Sequence, residues 1–253
     1  MLDFNQYLMI SKDGAVRNME ESIAILKKAA SQGVHTMVVL QRYMPEMNDW
    51  TKDRVNTKIA HLEEKIKAEN LQIKIKACHL VPLYGDMVED LKNEDLLTLG
   101  EEKYVFIELP SAQIPTYTSQ VIYDMQLEGY RPVIFHPEKV KRFQEDSNLL
   151  YHFVKNGTIT VLSGRSLLGK RGKKQQSAAK TLVSHHLTHL ISSDASTEKE
   201  YQIKDVWKKL SRDFGTETFH VFQENTDAID QDYNLTSEEP IRIKKRKLLN
   251  IFN

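Results

Sequence analysis

Short runs of β-branched and apolar residues alternate along the chain with longer segments of helical periodicity. This alternation is typical of parallel strands joined by crossover helices. Strands are predicted over residues 1–4, 36–40, 73–77, 104–109, 132–135, 159–162 and 187–191. Helices are predicted over residues 19–32, 54–69, 87–92, 118–128, 148–155, 177–186, 204–214 and 217–223. Seven strand-helix units favour either an incomplete α/β barrel or an open sheet.

The first predicted helix has one apolar face. Met19, Ile23, Leu26 and Ala30 recur at steps of four, three and four, so this stripe is expected to pack on the sheet. Gly33 follows the helix and precedes a strand, as the left-handed position at a helix C-terminus requires. A barrel built from such units carries its chemistry at the C-terminal ends of the strands. Candidate site residues are therefore expected there.

The composition is that of a folded, globular chain. The 253 residues include 35 Lys plus Arg, 35 Asp plus Glu and 40% hydrophobic residues, which argues against intrinsic disorder. The single cysteine, Cys78, can form no intramolecular disulfide, so a reducing compartment and a cytoplasmic location are predicted. No window approaches the ~20 apolar residues of a membrane span. Zero net charge gives no whole-chain argument for nucleic acid.

Three residues at predicted strand ends are candidates for joint chemistry. Glu108, His136 and Asp194 lie at or just beyond the ends of three different strands. Carboxylate and imidazole groups bind divalent metals and transfer protons, so these residues would together form a metal site or an acid/base site. Taken one at a time, each is more often a cap, a surface charge or a structurally satisfied side chain. Only their shared location indicates function.

Several local segments, with their order and spacing, carry a family resemblance. They are NMEES at 18–22, YVFIELP at 104–110, GYRPVIFHPE at 129–138, GKK at 172–174 and SDA at 193–195. The chain resembles the protein-tyrosine phosphatases of bacterial capsule and exopolysaccharide operons that belong to the polymerase and histidinol phosphatase (PHP) superfamily. The resemblance implies a distorted seven-stranded βα barrel over residues 1–225, followed by an extension over 226–253 with a basic tail. It also implies a metal cluster, typically manganese, and a substrate in the tyrosine-rich tail of a polysaccharide-regulating kinase.

The chain departs from the family at most of the metal-ligand positions that the resemblance implies. The family opens with Asp-Ile-His-X-His, and this chain has Asp-Phe-Asn-Gln-Tyr at 3–7. The ligand positions that hold other residues here are Asn5, Tyr7, Arg42, Leu80 and Ser196. The residual metal candidates are Glu108, His136, Asp194 and, with a one-residue shift, Asp13. The arginine that follows His-Pro-Glu in the family is Lys139 here.

These departures predict no cofactor, or a single weakly bound divalent metal, because affinity depends on ligand number and geometry. The leading interpretation is a catalytically impaired or inactive homologue that acts by binding or regulation. Its expected partner is a polysaccharide-regulating tyrosine kinase or its phosphotyrosine tail. The alternative is a manganese-dependent tyrosine phosphatase with a reduced site, for which Glu108, His136 and Asp194 are the catalytic candidates.

Cations near the strand ends suggest a further role. We hypothesise that Arg42 occupies metal space and pairs with Glu108 or Asp194. Arg42, Lys139 and Arg165 form an anion pocket for phosphate or are scattered surface charges, and the basic stretch 164–174 edges that pocket or is a loop. A nucleic-acid or membrane-surface role for the basic run 242–247 is disfavoured, because the run is short and acidic residues precede it.

Overall fold

The structure is a computed structural model that describes residues 1–9, 18–43, 51–101, 103–235 and 237–244. Seven parallel strands form one sheet in chain order. They are β1 (Leu2–Asn5), β2 (Thr36–Arg42), β3 (Lys74–Pro82), β4 (Tyr104–Glu108), β5 (Arg131–Phe135), β6 (Ile159–Ser163) and β7 (Leu190–Ser192). Asp13 and the tail residues Lys245, Arg246 and Lys247 lie outside the described residues.

Ten α-helices lie within the described residues and connect or follow the strands. They are α1 (Met19–Ser31), α2 (Lys52–Ala68), α3 (Met87–Lys92), α4 (Thr118–Leu127), α5 (Lys141–Glu145), α6 (Asn148–Lys155), α7 (Gly164–Leu167), α8 (Lys173–Ser184), α9 (Ile203–Phe214) and α10 (Thr216–Asp230). Helix α1 begins at a side-chain cap, since the Asn18 side chain accepts a hydrogen bond from Glu21 N. Among these helices, none combines the length and the apolar character needed to cross a membrane.

The two edge strands of the sheet meet and nearly close a barrel. The buried Asp3 carboxylate of β1 accepts a hydrogen bond from Ser193 N at 2.7 Å. Asn5 donates from Nδ2 to the Ala195 carbonyl at 2.9 Å. Both bonds join side chains of β1 to the backbone of the residues that follow β7, so side-chain hydrogen bonds link the two edges of the sheet. The predicted seven-stranded α/β barrel is confirmed, and the open-sheet alternative is wrong.

Alternating strand residues supply two apolar layers. Val38 and Leu40 of β2 belong to the cluster inside the barrel, while Met37 and Val39 pack with the surrounding helices. The inner cluster includes Phe4, Leu80, Phe106 and Phe135 from neighbouring strands. The barrel interior is therefore a packed apolar core, and polar chemistry is displaced to its C-terminal rim.

The observed elements overlap every predicted strand and helix, but β3 ends at Pro82 rather than 77 and α10 ends at Asp230 rather than 223. Helices α3 and α6 match their predicted ranges residue for residue. The short helices α5 and α7 were not predicted, because four or five residues show no helical period. Helix α8 begins at Lys173 rather than 177, directly after Gly172 with its positive φ of 97°.

The last helix joins the barrel to the C-terminal segment. Helix α10 crosses residue 225, so the predicted domain boundary lies inside a helix. Beyond it, Lys76 Nζ donates to the Asp230 carbonyl at 2.6 Å, and Tyr104 Oη donates to the Tyr233 carbonyl at 3.1 Å. These barrel residues lie toward the N-terminal ends of their strands. Residues 226–233 therefore pack on the face opposite the strand ends that carry the candidate site.

Candidate functional site

Glu108, His136 and Asp194 lie at the C-terminal rim of the barrel, as their positions predict. Glu108 ends β4, His136 follows β5, and Asp194 follows β7 by two residues. His136 and Asp194 have left-handed backbones, with φ values of 55° and 51°. Such conformations cost a non-glycine residue on the order of 1 kcal/mol and cluster at functional sites. At these two positions the chain therefore accepts backbone strain that the surrounding structure must offset.

The carboxylate of Asp194 is neutralised by cations of the chain itself. Lys139 Nζ donates to Asp194 Oδ2 at 2.8 Å, and Arg171 Nε donates to the same oxygen at 3.2 Å. Ser163 adds a hydroxyl donor at 2.6 Å. Burial alone would raise the pKa of Asp194, but the charge of Lys139 and the hydrogen bonds from Lys139 and Ser163 outweigh it and hold the pKa below its usual range. Asp194 is therefore a buried, ionised group.

Both ring nitrogens of His136 are engaged. Lys139 Nζ lies 2.9 Å from Nδ1, and Ser192 Oγ lies 2.7 Å from Nε2. An ammonium group can only donate, so Nδ1 accepts and Nε2 carries the proton that is donated to Ser192. Burial, together with the charge of Lys139, lowers the pKa of His136 well below its usual value. The imidazole is neutral at pH 7 and offers neither nitrogen to a ligand.

Ser192, His136 and Asp194 have the composition of a nucleophilic triad but not its accessibility. Ser192 is fully buried, and its hydroxyl also lies 3.3 Å from the Leu162 carbonyl, to which it donates. The Asp194 oxygen nearest the ring is 3.9 Å from His136 Nδ1. Since a nucleophile must reach its substrate, Ser192 is a structural hydrogen-bonding residue.

Arg42 forms the second ion pair at the rim. Its Nε lies 2.8 Å from Glu108 Oε2, so the structure places Arg42 against Glu108 rather than Asp194. The side chains of Arg42 and Glu108 are 56% and 36% exposed. The two residues extend from β2 and β4 across β3, whose Leu80 pairs in register with Arg42. Both side chains are partly open to solvent, although the contacting Glu108 Oε2 is buried, whereas the whole Asp194 side chain is enclosed.

The remaining substituted positions are filled by contacts within the chain. Asn5 accepts from Tyr7 N at 2.7 Å, and the Tyr7 hydroxyl accepts from Gln6. Leu80 is buried in the barrel interior. Ser196 donates through its hydroxyl to Glu200 Oε2 at 2.5 Å. Each residue at an implied ligand position therefore has a structural role of its own.

Two arginines of the basic stretch 164–174 have different partners: Arg165 pairs with Glu200, and Arg171 pairs with Asp194. Arg165 forms an ion pair with Glu200 and does not line the cavity at the rim. A phosphate contact by Arg165 therefore stays a prediction, and its guanidinium is paired with Glu200 outside the cavity lining. Arg171 contacts Asp194 instead. The only sequence signal for Arg171 was its place in a stretch predicted to edge the pocket.

A cavity of about 370 Å³ opens at the rim. Its polar lining includes Gln6, Arg42, Glu108, His136 and Lys139, and its apolar lining includes Leu109, Pro110 and Phe135. The volume falls within the roughly 300–1,000 Å³ of small-molecule pockets. Cationic groups beside an apolar wall suit a ligand that is anionic at one end and aromatic at the other.

The residues present do not fit the metal cluster that the resemblance implies. Within the part of the chain that the structure describes, no three His, Cys, Asp or Glu side chains are grouped as a metal site requires. His136 and Asp194 share the Lys139 ammonium, and Glu108 is paired with Arg42. A divalent cation would meet too few ligands and the repulsion of three positive side chains.

Comparison with known proteins is consistent with this fold and site. The family described as capsular polysaccharide synthesis, CpsB/CapC, matches residues 1–230. This chain belongs to that family. It is 28% identical over its full length to the tyrosine-protein phosphatase YwqE of Bacillus subtilis (strain 168), all of which is covered. It is 24% identical to the putative tyrosine-protein phosphatase CapC of Staphylococcus aureus, with 98% of each chain covered.

A solved structure agrees closely with the barrel. It belongs to the crystal structures of YwqE from Bacillus subtilis and CpsB from Streptococcus pneumoniae, which are described as unique metal-dependent tyrosine phosphatases. The matched chain has a TM-score of 0.92 and 27% identity, with 97% of this chain and 100% of that chain covered. The predicted resemblance to capsule-operon phosphatases of the PHP type is confirmed. The relatives of this CpsB/CapC chain are thus named as phosphatases, while one of the implied metal-ligand positions at its own rim holds a cation, Arg42.

Proposed function

We propose that this CpsB/CapC chain binds phosphotyrosine without metal and that its capacity for hydrolysis is impaired or lost. The observation that carries the proposal is that both acidic candidates within the described residues, Glu108 and Asp194, are paired with basic side chains. Lys139 and Arg171 contact Asp194, and Arg42 contacts Glu108. Three cations surround two carboxylates, so the rim keeps an excess of positive charge for an anionic ligand.

Arg42 is the principal phosphate contact in this proposal. Its guanidinium is 56% exposed and presents several N–H donors in a planar fork that matches phosphate oxygens. Lys139 has three N–H donors, and His136 and Asp194 accept two of them, which leaves one for the ligand. Phe135, Leu109 and Pro110 line the same cavity and offer an apolar surface for a tyrosine ring.

Among the residues that the structure describes, the rim has no group that is ready to activate water. In a metallophosphatase, bound cations lower the pKa of water and neutralise phosphate charge. Here both His136 nitrogens are occupied, and Asp194 is held ionised beneath Lys139 and Arg171. Glu108, the exposed carboxylate, is bound to Arg42. The chain therefore retains binding while hydrolysis is impaired or lost. The proposed ligand is the phosphotyrosine tail of a kinase that regulates capsule polysaccharide synthesis.

Binding can be tested with a tyrosine-phosphorylated peptide and its unphosphorylated twin, titrated in EDTA. We expect the phosphorylated peptide alone to bind, and Arg42→Ala to weaken it about tenfold or more, as for loss of a charge-assisted contact. Arg142→Ala is the matched control, because Arg142 is a similarly exposed arginine on α5 outside the cavity lining. Equal binding of both peptides, or binding that requires manganese, would contradict the proposal.

The second candidate function is a metal-dependent tyrosine phosphatase with a reduced site. The phosphatase names of the relatives and the convergence of Glu108, His136 and Asp194 at one rim favour it. Metal analysis of the purified chain and phosphatase assays with and without manganese separate the two functions. Strong metal-stimulated hydrolysis that His136→Ala abolishes would establish the second candidate and remove the first.

A further inference from the structure

A second concave surface lies between helices α9 and α10. This groove has a volume of about 550 Å³, and its described lining residues are all different from those of the rim cavity. We propose that the groove docks an acidic amphipathic helix of a partner protein. The inference rests on the shape and charge of this surface and does not depend on phosphotyrosine binding at the rim.

The floor of the groove is aromatic. Trp207 of α9 and Phe219 of α10 both line it and pack edge to face, with ring centroids 5.6 Å apart and an interplanar angle of 87°. Trp207 is only 7% exposed. Its indole Nε1–H is buried and has no hydrogen-bond acceptor within the described part of the chain. A buried donor without an acceptor is costly, so an acceptor from a bound segment would stabilise it.

Helix α9 supplies a row of cations along the groove. Lys204, Lys208 and Arg212 all line it and recur at steps of four residues. At a rise of about 1.5 Å per residue, the row is roughly 12 Å long, with a cation about every 6 Å. None of the described lining residues is acidic. Such a row matches carboxylates that recur at the same step on a partner helix better than it matches one compact anionic group.

The charges of this row are open to a partner. All three cations are exposed. Lys204 Nζ donates to a backbone carbonyl, which leaves its charge uncompensated. Among the ion pairs of the described residues, none involves Lys208. Arg212 pairs with Asp213, but Lys209 contacts the same carboxylate at 2.7 Å, so one acidic group faces two basic groups. The groove therefore keeps an excess of positive charge.

Two consecutive helices form the groove, which favours a helical occupant. Helix α9 ends at Phe214, Gly215 has a positive φ of 92°, and α10 begins at Thr216. The two helices pack against each other, and the groove between packed helices receives the apolar face of a third helix. Apolar residues of the occupant contact Trp207 and Phe219, while its acidic residues face the row on α9.

The test uses Trp207 as its own reporter. The chain has two tryptophans, so Trp50→Phe leaves Trp207 as the only source of tryptophan fluorescence. The probe is a synthetic helical peptide with leucines along one face and glutamates at steps of four beside them. Its twin has lysines in place of the glutamates. We expect the acidic peptide alone to bind and to shift the emission of Trp207. Calorimetric titration of the wild-type chain repeats the comparison without the Trp50 change.

Lys208→Glu should weaken binding of the acidic peptide about tenfold or more, because an attraction in the row becomes a repulsion. Lys65→Glu is the matched control, since Lys65 is an exposed lysine on α2 outside the groove lining. It should bind like the wild type. No binding of the acidic peptide, equal binding of both peptides, or an equal loss in the two variants overturns the inference. Lys208-dependent binding to phosphatidylglycerol vesicles in place of the peptide would assign the groove to a membrane surface and also overturn it.

Discussion

Asp194 and Glu108 are two carboxylates at one rim with opposite surroundings. Asp194 is fully buried, and Lys139, Arg171 and Ser163 all donate to it. Glu108 is 36% exposed and faces a single cation, Arg42, that is itself more than half exposed. A buried pair is costly to break, because its partner is left uncompensated, whereas an exposed pair contributes about 0–1 kcal/mol. The rim therefore combines a structural ion network with an adaptable binding edge.

The largest expected effect on stability is that of Asp194→Asn. Removing the carboxylate charge leaves two cations beside each other with only a neutral acceptor, so we expect the free energy of unfolding to fall by about 3 kcal/mol. Adding Lys139→Met should recover much of that loss, because the buried charge is removed together with its partner. Urea unfolding at pH 7 measures both variants. A loss below about 1 kcal/mol for Asp194→Asn would mean that the buried ion pairs of Asp194 contribute no more to stability than the exposed Arg42–Glu108 pair.

A second test asks whether pairing or burial sets the state of a carboxylate. Glu138 is as buried as Asp194 but receives one hydroxyl hydrogen bond, from Ser166. Burial, opposed by the charge of Lys139 and that bond, raises the pKa of Glu138 from 4.5 to about 7. Between those values only the unfolded chain loses the proton, so stability falls as pH rises and stays low above about pH 7.

Glu138→Gln should remove this dependence on pH. We expect the variant to be about 1–2 kcal/mol more stable than the wild type at roughly pH 8, after the cost of a buried amide is deducted. Near pH 4, where the wild-type carboxyl is protonated in both states, this advantage should be lost and the variant should be less stable by roughly the cost of the buried amide. Urea unfolding at the two pH values provides the measurement. A difference that does not change with pH would show that the pKa of Glu138 is the same in the folded and the unfolded chain.

The smallest expected effect concerns Glu108. Glu108→Gln removes the carboxylate that competes for Arg42, so the phosphorylated peptide should bind roughly threefold more tightly. The free energy of unfolding should change by less than about 0.5 kcal/mol, since the pair is exposed. Peptide titration measures the change in affinity, and urea unfolding measures the change in stability. Weaker peptide binding would mean that Glu108 orients Arg42 instead of restraining it.

The barrel could be predicted from the sequence to a considerable extent, while the partners at the rim could not. Buried parallel strands and amphipathic helices have recognisable apolar patterns in the sequence. These patterns predicted the positions of strand β4 (Tyr104–Glu108) and helix α6 (Asn148–Lys155). The positions of Glu108, His136 and Asp194 followed from strand ends. The contact of Lys139 with His136 depends on a single 3₁₀ turn, which carries no periodic signal.

The ion pairs between distant residues were hidden for a different reason. Arg171 reaches Asp194 across 23 positions of sequence, while its neighbour Arg165 turns to Glu200. Both are arginines in one basic stretch, and only the path of α7 and the loop after it decides which side chain faces the rim. Residue type gives the charge, but the reach of a side chain depends on the fold.

The contact between β1 and the residues that follow β7 determines where the barrel opens locally. Strands β2 and β3 share a long backbone ladder, whereas β1 and the chain after β7 are joined through Asp3 and Asn5 side chains. Burial raises the pKa of Asp3 to about 6, so this seam loses a proton within the range of ordinary buffers. Amide hydrogens along the seam should exchange with solvent before those of β2 and β3, so the barrel has a preferred line of opening.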